Sequence, residues 1–211
     1  MYQTYLEPVI KQYTTGEYYE ELFKAKQEYF DRAGVVYEDD SEFESRMNIF
    51  LDWYLFDREL PSLDLPPIRI FFRNNRETLS PDDQKIYEDF CSTVHSIFEL
   101  SKVGKDFVKV DDLFSKKSYQ VQIDHLKQGF VKGDIFEARL IPFRGVFEFS
   151  NGFCFHPVEM EKFILGEIKK VRNQDKSRQT KLILQLAAMK LKHVRYQHIN
   201  IKHIYSFNDK I

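Results

Sequence analysis

Phe147-Glu148-Phe149-Ser150-Asn151-Gly152-Phe153-Cys154-Phe155 is the stretch on which the fold turns. Its two aromatic triplets alternate with a period of two, the spacing that sends successive side chains to opposite faces of a sheet. Ser150-Asn151-Gly152 between them is made of turn residues, so the stretch predicts a hairpin. Upstream, Phe107-Val108-Lys109-Val110, Tyr119-Gln120-Val121-Gln122-Ile123 and the run from Ile135 to Ile141 also alternate or cluster in β-formers. About five short strands over roughly 60 residues predict a small, strongly curved antiparallel sheet or half-barrel.

Helical patterns flank this centre. Thr14-Thr15-Gly16-Glu17 and Ser41-Glu42-Phe43-Glu44 have capping-box spacing. Tyr18, Tyr19, Leu22, Phe23 and Phe30 follow the first box near one stripe, and Phe43, Met47, Phe50, Leu51, Tyr54 and Leu55 follow the second. Pro61, Pro66 and Pro67 form an extended connector. Ser80-Pro81-Asp82-Asp83 then starts a helix with a Ser cap, Pro in the first turn and two carboxylates at the positive end. Ile86, Phe90, Val94, Ile97 and Phe98 are its expected buried stripe. Beyond Pro157 two further helices are predicted, the second apolar nearly all round from Leu182 to Leu191 and therefore buried. The tail from His198 to Tyr205 fits a strand or a helix end. The expected fold class is α+β: a helical region 1–97, a β-rich region 98–156 and a basic helical region 157–211. They are expected to pack as one unit, because no part alone buries enough area.

Composition narrows the function classes. Of 211 residues, 43% are apolar, enough for a core, and no run approaches the length of a membrane span. The N-terminal residues lack the basic-then-apolar pattern of a signal peptide, so a cytoplasmic protein is expected. Two cysteines are too few for a disulfide framework or a zinc ribbon. A net charge of −2 hides an asymmetry: residues 161–211 hold 12 Lys/Arg against 4 Asp/Glu, and the rest of the chain 19 against 29. Such a split fits charge pairing or a basic face for a polyanion.

Phe50-Leu51-Asp52-Trp53-Tyr54-Leu55-Phe56-Asp57-Arg58 holds the only Trp, and Gly133-Asp134-Ile135-Phe136-Glu137-Ala138-Arg139-Leu140 lies in the strand region. With these two motifs the chain resembles, over roughly residues 43–160, a group of uncharacterised bacterial proteins that share a Phe-x-x-Trp-aromatic-Leu-Phe-Asp helix. Some of them carry a cysteine-rich SEC-C zinc motif, whose cysteines are missing here. The resemblance implies a bacterial origin and a shared architecture and brings no activity.

Several constellations are candidate sites. Cys91-x-x-x-His95 on a helix and Cys154-x-His156 on a strand would supply two thiolates and two imidazoles to a zinc ion if their faces met. Buried, unliganded cysteines are the simpler reading. Asp124 with Glu137-x-Arg139 resembles the carboxylate layout of metal-dependent nucleases, although a guanidinium cannot replace the usual lysine as a base. His193, His198 and His203 recur every five residues and share no face. Lys169, Lys170, Arg172, Lys176, Arg178 and Lys181 form a basic patch, with Phe107, Tyr119, Phe136 and Phe143 as stacking faces for unpaired bases. Trp53, Tyr54 and Phe56 cannot all point inward on one helix. They define a partner-binding candidate rimmed by Asp57 and Arg58, unless the helix is buried on two sides. No P-loop, Gly-x-Ser-x-Gly, Gly-x-Gly-x-x-Gly or His-Glu-x-x-His occurs, which argues against the best-marked enzymes and predicts no cofactor. The sequence is read first as a non-enzymatic adaptor or regulatory module meeting an unidentified protein partner. A nucleic-acid-binding module is the second reading and a metal-dependent hydrolase the third.

Overall fold

The strand signals become five strands in the computed structural model, which describes residues 1–61, 63–123 and 129–207. They are β1 (Val94–Val103), β2 (Phe107–Asp112), β3 (Ser118–Gln122), β4 (Ile135–Phe143) and β5 (Val146–Phe155). The sheet closes into a barrel in the order β1-β2-β3-β5-β4. All neighbours are antiparallel except β3 and β5, which run parallel through Val121↔Phe147 and Gln122↔Glu148. Phe98, Leu100, Val108, Val110, Val121, Phe136, Leu140 and Phe149 fill the interior.

The predicted final hairpin is corrected. Residues 146–155 form one strand, and the turn lies before it at Arg144-Gly145, where Phe143 pairs with Val146. Both turn residues have positive φ, +50° and +84°. This is the left-handed pair that a two-residue hairpin loop needs. Gly152 serves packing instead, because a Cβ there would lie 2.6 Å from Ile49 Cγ1 and 2.8 Å from the Ile49 backbone nitrogen.

Five helices precede the barrel: α1 (Gln3–Thr14), α2 (Tyr19–Ala33), α3 (Phe43–Phe56), α4 (Pro67–Asn75) and α5 (Pro81–Phe90). Three follow it: α6 (Glu161–Val171), α7 (Lys176–Arg195) and the short α8 (Ile201–Ile204), which occupies the ambiguous tail. Ser80 caps α5 as expected, its Oγ accepting from the Asp83 N–H at 3.2 Å. The two capping boxes do not form. Thr14 and Thr15 hydroxyls donate back to the Ile10 and Lys11 carbonyls at the end of α1, and α3 starts without a side-chain cap. Helix α5 ends at Phe90, so Val94, Ile97 and Phe98 belong to β1 and the β region begins before residue 98.

Helix α3 is buried on two sides. On one, the rings of Phe50 and Trp53 meet Tyr29 of α2. On the other, α3 lies along β5, where Ser45 Oγ donates to the Phe153 carbonyl at 2.7 Å and accepts from the Phe153 N–H at 2.9 Å. One apolar core joins α1 to α5 with Ile141, Phe143 and Cys154 of the barrel and Leu184 and Ala187 of α7. The architecture is α+β. Among the described residues no helix is long and apolar enough to cross a membrane.

Candidate functional site

Strand alternation puts Glu137 and Arg139 on the outer face of β4, where the helices cover them and leave them 0% and 2% exposed. Arg139 Nη2 is ion-paired with Asp57 at the end of α3, and its Nη1 donates to Thr93 Oγ1 at 2.8 Å. Its guanidinium also stacks on Phe56, with Cζ 5.0 Å from the ring centroid. His95 of β1 completes the cluster, with Nε2 2.9 Å from Glu137 Oε1 and Nδ1 3.7 Å from Asp57 Oδ2. Burial works against the Asp57 charge, but Arg139 and His95 overcome it and hold the carboxyl below its ordinary range. Both imidazole nitrogens thus face carboxylates, so the cluster pins α3 to the barrel and leaves His95 no open side for acid–base chemistry.

Asp52 lies one turn earlier on α3. With Ile49, His95, Glu137, Arg139 and Gly152 it lines a crevice too small to hold a water molecule. Burial pushes its carboxyl up to about 6, against the lowering influence of Arg139. The native state therefore binds more protons than the unfolded chain between roughly pH 4 and pH 6, and stability falls across that window as pH rises. Asp52→Asn is expected to gain about 2 kcal/mol at pH 7 and little at pH 4. Urea midpoints at the two pH values test this, and an equal gain at both would show that the carboxylate charge is not the cause.

Asp57 also reaches the surface, at the floor of a cleft of about 860 Å³ between α2, α3 and α7. Arg32, Trp53, Lys176, Thr180 and Lys181 are among its walls. The Lys176 ammonium turns inward and donates to the His95 carbonyl at 2.9 Å. Burial lowers its pKa, partly offset by Asp57. The cleft is mixed in charge, with Arg32, Lys176 and Lys181 set against Asp57 and Glu59.

The predicted site residues scatter. Trp53, Tyr54 and Phe56 are 7%, 0% and 8% exposed, so they are core and form no surface patch. Asp57 holds Arg139, and Arg58 bonds Glu21 and Glu28 of α2 at 2.7 and 2.9 Å. Exposed aromatic residues nearby are Tyr19 and Phe23, four apart on α2, and Tyr37 after it, whose ring is covered by Arg195. The zinc constellation does not assemble. Cys91 caps the end of α5, and His95 is on β1 facing Glu137 rather than on the same helix. Cys154 is buried against the helices, its thiol pushed up to about 12 by desolvation. His156 Nδ1 lies 3.2 Å from the Tyr205 hydroxyl, and burial lowers that imidazole to about 3. Among the described residues no group of three or more His, Cys, Asp or Glu could hold a metal. Asp124 lies outside the described residues.

The basic patch is divided. Lys170 pairs with Glu167 at 2.6 Å, Lys176 turns inward, and Arg172 Nε donates to the Leu113 carbonyl at 3.1 Å. Lys169 and Arg178 remain exposed and make no ion pair among the described residues. Of the aromatic residues proposed for stacking, Phe136 and Phe143 are buried, Tyr119 packs edge-on against Phe98 and Phe147, and Phe107 alone offers a half-exposed ring on the barrel's outside. A second group of cations was not singled out in the sequence: Lys102, Lys105, Lys109, Lys116 and Lys117. All five are exposed on β1, β2 or their turns, and none makes an ion pair among the described residues. Lys102 Nζ sits 5.6 Å from the Phe107 ring centroid. Helices lie over β4 and β5, and α6 and α7 also cover Ile97 of β1 and Leu113 and Phe114 after β2, so the open part of this face is the far end of β1 with the outward residues of β2 and β3. The alternation Phe107-Val108-Lys109-Val110 carried the signal, since valines filling a barrel send Phe107 and Lys109 outward.

The closed order β1-β2-β3-β5-β4, with its parallel β3–β5 seam, defines an α+β protein built on an OB-type barrel. Residues 7–193 match DUF7986, a family of unknown function, and the chain belongs to that family. No curated protein and no solved structure matches it.

Proposed function

We propose that this protein is a nucleic-acid-binding module that takes a single strand across the β1–β2–β3 face of its barrel. The observation that carries this reading is the open face itself, with five unpaired lysines and Phe107 among Glu99, Asp106 and Asp111. Unpaired lysines supply the phosphate contacts of sequence-independent binding, and a partly exposed aromatic ring supplies a place for a base to stack. The link from Arg172 to Leu113 sets the α6–α7 elbow beside the turn that carries Lys116 and Lys117, which extends the cationic track to Lys169 and Arg178. The barrel class is compatible with strand binding, but fold alone assigns no activity and the lysines carry the argument.

Fluorescence anisotropy of a labelled single-stranded oligonucleotide tests it. Affinity is expected to fall with salt at a log–log slope of roughly −0.7 for each phosphate contacted. Lys116→Glu/Lys117→Glu should weaken binding more than tenfold at about 50 mM salt, and Phe107→Ala should weaken it about tenfold. Absence of binding at low salt, or equal affinity in the lysine variant, would remove the reading. A protein-contact role is the second reading, supported by Tyr19 and Phe23 on α2, which are 64% and 56% exposed. Those two rings, rather than Trp53, are where substitution would then disrupt a complex.

A further inference from the structure

Arg69 and Arg73 of helix α4 and Arg76 at its C-cap, which keeps helical backbone angles, follow at spacings of four and three residues, which place them on one face. The opposite face of α4, Ile68, Ile70 and Phe71, is in the core. The three arginines and Phe72 line a groove of about 540 Å³, closed on the other side by Glu88, Cys91 and Ser92 at the end of α5. None of the three guanidinium groups makes a salt bridge among the described residues. Arg69 Nη2 donates to the Cys91 carbonyl at 3.4 Å, Arg73 Nε reaches only Asn74 Oδ1 at 3.5 Å, and Arg76 lies over the Phe72 ring at 5.9 Å. Glu88 at the rim is engaged by Lys85 at 3.4 Å.

Like charges at this spacing repel, and the chain has 33 acidic residues with which it could have neutralised them. Three planar forks that make no ion pair, in a groove whose one lining carboxylate, Glu88, is engaged by Lys85, match a ligand that brings several negative oxygens at once. The groove is the size of a small-molecule site, and Phe72 gives it an aromatic wall. We infer that this groove binds a nucleoside polyphosphate, with the arginines on its linked phosphates and the base against Phe72. The site is separate from the barrel face and does not depend on the nucleic-acid reading.

Isothermal titration of the full chain with ATP, tripolyphosphate and orthophosphate tests the inference. ATP and tripolyphosphate are expected to bind with one site per chain, ATP the more tightly, and orthophosphate at least tenfold more weakly. Arg73→Ala/Arg76→Ala should weaken ATP binding about tenfold or more with unchanged thermal unfolding. Phe72→Ala should bring ATP down to the affinity of tripolyphosphate. Cys91 lies in the groove half-buried whereas Cys154 is buried, so bound ATP should also slow alkylation of Cys91. Lys116→Glu/Lys117→Glu should leave all of this unchanged. No binding of ATP up to about 1 mM, orthophosphate binding as tightly as tripolyphosphate, or full affinity in the double arginine variant would each overturn it.

Discussion

Replacing Arg139 with methionine is expected to cost about 3–5 kcal/mol of stability at neutral pH, among the largest losses available from a single charged residue in this chain. The substitution keeps most of the side-chain volume on Phe56, so packing is nearly conserved and the loss is electrostatic. What remains is Asp57 without its arginine and Glu137, fully buried, whose hydrogen-bond partner among the described residues is His95. The cost is that of leaving buried charge uncompensated and is not the net worth of the pair. Arg139→Met/Asp57→Asn/Glu137→Gln should accordingly recover most of the loss, because removing the whole set removes the unpaired charges. The pH dependence has a definite sign. Asp57 has a folded pKa below its unfolded one, so its stabilising effect is present above the unfolded pKa and disappears as pH falls through the folded value. The penalty of the single substitution should therefore shrink in acid. Urea midpoints with an unchanged m value measure it. A loss under about 1 kcal/mol at pH 7 would mean that water already solvates the cluster through the cleft at Asp57.

Those same residues show how far the sequence was legible. Period-two alternation located the strands and put Glu137 and Arg139 on one face, because alternation is a local property of the backbone. It did not say that helices would cover that face, and so part of a covered ion cluster looked like the carboxylate layout of a metal-dependent nuclease. The Trp53 helix posed the reverse problem. Aromatic residues spread around a helix signal either two-sided burial or an exposed patch, and only the positions of α2 and β5 decide between them. Arg144-Gly145 closes the real hairpin with an arginine in the left-handed region, a weaker local signal than Ser150-Asn151-Gly152. The lysines of the open barrel face were visible one by one in the sequence. That they share a face depends on the register of the β1–β2 and β2–β3 pairings, which sets Lys102 directly opposite Lys109 and which alternation within one strand does not give. The α4 arginines needed only helical spacing to share a face, and that none of them makes an ion pair among the described residues, with Glu88 held by Lys85, is a tertiary fact.

Gly152→Ala is expected to destabilise the protein by about 3 kcal/mol, far more than adding one methyl group to a strand ordinarily costs. The backbone at Gly152 has no positive φ to protect, so conformational strain is not the reason. The reason is distance. The added Cβ would stand 2.6 Å from Ile49 Cγ1, 2.8 Å from the Ile49 nitrogen and 3.0 Å from its Cα. A side-chain tip can rotate away, but a helix backbone cannot, so α3 must retreat from β5 as a unit. Retreat lengthens both Ser45 bonds to Phe153. It also opens the crevice lined by Asp52, His95, Glu137 and Arg139, admitting water to a cluster whose pairing depends on its exclusion. The destabilisation thus joins overpacking to weakened hydrogen bonds and ion pairs, and Ser45→Ala in the alanine background should cost less than it does in the wild type, since the bonds it removes are already strained. Gly166→Ala is the matched control. It lies within α6 with nothing inside 4 Å of an added Cβ, and it should stabilise the protein by about 0.5–1 kcal/mol through helix propensity alone. If Gly152→Ala unfolds at the same denaturant concentration as the wild type, α3 and β5 are not in the close contact described, and the crevice between them is not what keeps the charged cluster dry.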